Sequence, residues 1–128
     1  MATRLLKLAV IYLIAGMSLG LFMGITQELQ FHSVHAHINL LGWVSLAVAG
    51  FIFHLFPDLA RTRLAAIYFW LYNLSLPAGL AGLALTVAGY AWAEPILGIG
   101  FTAVWAAGCI FGANVLLHLT AERQSVSA

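Results

Sequence analysis

Charge is what this chain has least of. Its 128 residues include four acidic side chains (Asp and Glu) and five basic ones (Lys and Arg), together 7% of the sequence. A water-soluble globule of this size needs several times that polar surface, so an ordinary soluble domain is excluded. Cysteine is nearly absent too. The single Cys109 admits no disulfide framework within the chain, and it reads as a small packing residue in mid-span. A net charge of +1 leaves no basic patch for nucleic acid. What fills the space is apolar: 63% of residues are hydrophobic and the mean hydropathy is +1.01.

The few charges divide the apolar sequence into four segments free of Asp, Glu, Lys and Arg, running 8–27, 29–57, 64–93 and 95–121. Each meets the roughly 20 helical residues that a bilayer core requires. The pattern predicts an all-α membrane protein, a single four-helix transmembrane domain over 1–128 with helices near 6–27, 33–57, 64–92 and 95–121. Short connections make neighbouring helices antiparallel, up-down-up-down. Arg4, Lys7, Arg61, Arg63 and Arg123 all fall on one side, and Glu28 and Glu94 on the other. The positive-inside rule then puts both termini in the cytoplasm of a bacterial-type inner membrane. "GITQELQF" is a poor cleavage context, so the first segment is expected to be a helix and not a signal peptide. Gly16, Gly20 and Gly24, and again Gly108 and Gly112, recur every four residues, which invites close helix contact. Pro77 is expected to kink the third helix.

The chain spends its polar side chains on imidazole. His32, His35, His37 and His54 lie in or beside the second segment and His118 in the fourth, and such groups inside a span are functional candidates by default. His32, at the outer interface, His54 and His118, toward the inner ends of their helices, are secondary metal candidates; a solvated or loop-stabilising role explains His32 equally well, and interfacial anchoring for His54 and a helix-to-helix hydrogen bond for His118 explain them better. His54 stands roughly 28 Å along the helix from His35 at 1.5 Å per residue, so the two cannot share a site. His35 and His37 are the principal pair. Two positions apart on a helix they diverge by about 200°, which prevents them from gripping one ion together. His32 and His35 share a face and leave a copper-binding loop open as an alternative. Haem suits the divergent pair better, because its iron takes axial ligands from opposite faces of a flat ring. Ala47, Ala49 and Gly50, with Trp43, Phe51 and Phe53, offer material for a slot around such a ring.

"HAHINLLGWVSLAVAGFIFHLFP" resembles the tenth transmembrane helix of subunit I of the haem-copper oxidases, which begins with His-x-His and ends with His-x-Phe-Pro. His35 and His37 match the paired histidines, Gly50 an intervening glycine, and His54, Phe56 and Pro57 the closing motif. The resemblance implies that His35 and His37 are axial haem ligands on a helix running from the outer side inward. No His-Pro-Glu-Val-Tyr segment accompanies them, so a complete oxidase is not implied. The expectation is a bis-histidine cytochrome carrying haem b, for electron transfer or haem binding. The alternatives are an O₂- or NO-binding haem protein and a copper or haem handling factor.

Within one chain, no second histidine lies at the depth of His35 and His37 on another helix, although Met23 remains a conceivable ligand. The two faces of a haem must then be served by two copies of the second helix. Divergent ligands on each copy make a head-to-tail contact, which closes into a ring. Subunit I of the oxidases has twelve helices in three pseudo-repeats of four, and the resemblance therefore favours a homotrimer, with a dimer as the alternative. A redox partner or quinone is expected as electron donor or acceptor.

Overall fold

The computed structural model describes residues 1–119, and every described element is helical or a connecting turn. Helix α1 spans Ala2–Thr26. Helix α2 spans Leu29–Leu55 and is a composite: a 3₁₀ turn over Leu29–Phe31, α-helix over His32–His37, a π segment over Ile38–Val44, and α-helix again over Ser45–Leu55. Helix α3 covers Arg63–Val87 and α4 covers Glu94–His118, preceded by a 3₁₀ turn at Ala91–Ala93. All four are long and apolar enough to cross a membrane.

The helix ends differ from expectation for local reasons. Helix α1 begins at Ala2 and carries Arg4 and Lys7 in its first turns; nothing in those residues breaks a helix. It stops where Gln27 turns left-handed, at φ 58°. Helix α2 ends at Leu55 and not at Pro57, because the residue before a proline is driven out of the α region and Phe56 sits at φ −124°, ψ 75°. Helix α3 ends at Val87, five residues early, since Gly89 adopts φ 99° to turn the chain. Pro77 lies inside α3 without interrupting its helical assignment. The expected end of the fourth helix at Ala121, and Arg123 beyond it, lie outside the described residues.

Lipid supplies no hydrophobic drive between helices, so contact has to come from small residues and hydrogen bonds. Both are present. Helices α1 and α2 form one close pair and α3 and α4 another. Between α3 and α4 two glycines meet: a Cβ on Gly100 would stand 2.5 Å from Gly79 Cα. The two pairs join through side chains in a shared core that includes Leu5, Leu46, Phe53, Tyr68, Leu76 and Val104. At the end of the molecule holding the α2–α3 connection, the buried Asn114 of α4 donates to Leu59 O at 3.0 Å and accepts from Thr62 Oγ1 at 2.8 Å. Thr62 also caps α3 by accepting from Ala65 N at 3.0 Å. The outward faces are largely apolar, with Ile25 74% and Leu116 85% exposed, as a lipid-facing surface requires.

Candidate functional site

His35 and His37 leave α2 in opposite directions. His35 is half-buried against α1 and its Nδ1 lies 2.8 Å from Gly16 O. His37 is half-buried on the other side, against α4, where its ring centroid is 5.1 Å from that of Phe101. Its Nδ1 lies 2.7 Å from Ser33 O, one turn back on the same helix.

A carbonyl oxygen only accepts, so in both residues Nδ1 carries the proton and donates it. Nε2 therefore keeps its lone pair in the neutral ring. That is the tautomer a metal-ligating imidazole uses when a backbone carbonyl orients it. His32 and His118 show the same local bond, from Nδ1 to Leu29 O at 3.0 Å and to Asn114 O at 3.1 Å, but both are exposed. His54 is exposed near the opposite end of α2 from the pair. Among the described residues no three His, Cys, Asp or Glu side chains come together to hold a metal ion.

Beside His37 a groove of about 790 Å³ opens between α2 and α4, with α3 as its floor. Its volume falls in the range of pockets that hold small molecules and cofactors. His37 and Phe101 stand at one end, Tyr72 and Tyr68 on the floor, and Trp105 on the wall, 70% exposed. The expected slot residues prove to be elsewhere. Ala47, Ala49, Gly50 and Phe53 are buried in helix contacts: a Cβ on Gly50 would meet Leu6, and Phe53 packs edge-on against Tyr68 and Phe111. The face of α2 that lines the groove is instead Leu41, Val44, Ser45 and Val48. Cys109 also departs from expectation; it is exposed on the groove wall, because the α4 face that carries it turns toward the opening and not toward α3.

Several contributors stand out little in the sequence, and one of them, the π segment, not at all. The π segment immediately follows His37, and such segments frequently mark functional sites. Side chains add hydrogen bonds to its carbonyls: Ser45 Oγ donates to Leu40 O at 2.8 Å, beside the backbone N–H of Ser45, and Tyr72 OH to Leu41 O at 2.9 Å. Asn39 Nδ2 donates to His35 O at 2.9 Å, and its side chain fills the space left by Gly16. The four-residue spacings His35–Asn39 and Tyr68–Tyr72 are the signals that bring these residues forward.

Comparison with known proteins gives no match: no family model, no curated protein and no solved structure matches the chain.

Proposed function

We propose that the protein is a multi-pass membrane haem protein, a bis-histidine b-type cytochrome in which each haem is shared between copies of the chain. The observation that carries this reading is the divergent pair: His35 and His37 face opposite sides of α2, each with Nδ1 bonded to a carbonyl and Nε2 left as a ligand atom. Two such nitrogens from neighbouring copies fit the two faces of a haem iron. The groove beside His37 provides apolar, aromatic walls for a porphyrin edge. Bound haem supplies one-electron redox chemistry; the chain's part is to hold the iron, fix the imidazole tautomers and exclude water.

In this reading His35 of one protomer and His37 of the next would hold the same iron, and a head-to-tail trimer is the favoured ring. The resemblance of α2 to the oxidase helix supports both the ligands and the ring size. The membrane is of bacterial inner-membrane type with both termini cytoplasmic. Its support is the clustering of Arg4, Lys7, Arg61 and Arg63 at one end of the helices. A quinone or a redox protein exchanges the electrons.

The test is optical. Protein expressed with ample haem is expected to show a Soret band and a sharp reduced α-band, and native mass spectrometry a haem-loaded trimer. His35→Ala and His37→Ala each remove the haem or convert it to a high-spin form, while His54→Ala and His118→Ala leave the spectrum unchanged. A colourless wild type, or four variants with the wild-type spectrum, defeats the assignment. The volume of the groove, about 790 Å³ beside His37 alone, favours one second reading, in which His37 alone would hold the iron and O₂ or NO would bind beside it. Rapid binding of carbon monoxide to the reduced protein selects that reading over the bis-histidine one.

A further inference from the structure

The two candidate ligands are oriented by different helices. His37 bonds to Ser33 O on its own helix, so α2 alone sets its ring. His35 bonds across an interface to Gly16 O of α1. Its ring also occupies the space beside Gly20, where an added Cβ would stand 2.8 Å from Cε1 and 3.6 Å from Nε2. The tip of a side chain normally yields to such a contact. This one is fastened at Nδ1, so yielding means stretching the hydrogen bond that fixes its tautomer.

We propose that Gly20 and the Gly16 carbonyl of α1 position His35 as a haem ligand. Gly20 does so by having no side chain, and Gly16 by holding the Nδ1 proton. The inference rests on the haem reading above. It would make the two ligands unequal: the orientation of His37, set within α2, withstands small movements between α1 and α2, and that of His35, set by α1, does not. Gly24, one turn further along α1, has nothing within 4 Å of its would-be Cβ. It is the built-in control.

The experiment compares Gly20→Ala and Gly24→Ala in the full-length haem-loaded protein by electron paramagnetic resonance of the ferric state. Gly20→Ala is expected to lose the low-spin signal and gain a high-spin one while keeping haem on His37; Gly24→Ala keeps the wild-type signal. A retained low-spin signal in Gly20→Ala overturns the proposal. Nitrogen-15 resonances of histidine-labelled protein in lipid vesicles decide the point even if the wild type binds no haem, an outcome that defeats the haem reading alone. The His35 resonances, assigned by their disappearance in His35→Ala, must shift in Gly20→Ala and stay fixed in Gly24→Ala; no shift overturns the placement. Should Gly20→Ala fail to assemble, adding His35→Ala removes the ring that the methyl meets. Restored assembly supports the contact, and continued failure overturns it.

Discussion

The two helix pairs use glycine in opposite ways. Between α3 and α4, Gly100 lies against Gly79 and Gly82 against the backbone of Ile96 and Leu97, so backbone meets backbone. Between α1 and α2, glycines make room for side chains: Gly16 for Asn39, Gly20 for His35, Gly42 for Tyr12 and Gly50 for Leu6. A backbone contact has no part that can rotate away, whereas a side-chain contact has at least one torsion to spend. The α3–α4 contact consequently has no torsion with which to absorb an added methyl. The α1–α2 pair is the one that carries the candidate ligand, and its packing is tied to that ligand's orientation.

The most damaging way to test this contrast is Gly100→Ala. Its methyl would collide with Gly79 Cα at 2.5 Å, and separating the helices is expected to cost at least the roughly 1–3 kcal/mol typical of overpacking. Reversible unfolding in mixed micelles measures it. By contrast Gly50→Ala, which meets the flexible Leu6, should cost less than Gly100→Ala in the same assay; equal losses would erase the distinction between the pairs.

Next in size is Asn114→Leu. It removes two hydrogen bonds from a fully buried amide; Thr62 Oγ1 still reaches Leu59 O at 3.1 Å, so the expected cost is that of the two bonds, about 1–3 kcal/mol. Tyr72→Phe is smaller. Loss of its bond to Leu41 O should cost about 0.6–2 kcal/mol, the range for hydrogen bonds between membrane helices, and speed amide exchange within Ile38–Val44. Smallest are Gly108→Ala and Gly112→Ala, whose added methyls have nothing within 4 Å in one chain. Stability of the monomer should change by no more than about 0.5 kcal/mol. A loss of trimer in native mass spectra without a loss of folding would place these glycines between protomers.

Much of this was legible in the sequence, and the limits have physical causes. The four spans follow from where charge is missing, and the divergence of His35 and His37 from helix geometry alone. The close approach along Gly16 and Gly20 was readable as spacing, but its occupants were not, because spacing does not say which neighbouring face arrives. For the same reason Ala47, Ala49 and Gly50 seemed available to line a slot, when they are consumed by helix packing. A lone thiol gives no information on which side of α4 meets α3, so the exposure of Cys109 on the groove wall is not legible in the sequence. The π segment was invisible: no residue in "INLLGWV" dictates a wider turn, and the side chains that bond to its carbonyls are Ser45 and Tyr72, a residue of a different helix. Asn114 offered a signal that spacing arguments pass over, since a lone amide in an apolar span demands partners.

The clasp that Asn114 makes also imposes an order of events during synthesis. Leu59 and Thr62 precede it in the chain by 55 and 52 residues, which a ribosome takes roughly 3–11 s to add at 5–20 residues per second. Through that interval the connection between α2 and α3 exists without the amide that ties it down. The emerging protein must keep this turn near the wet surface of the membrane until the last helix enters and locks it.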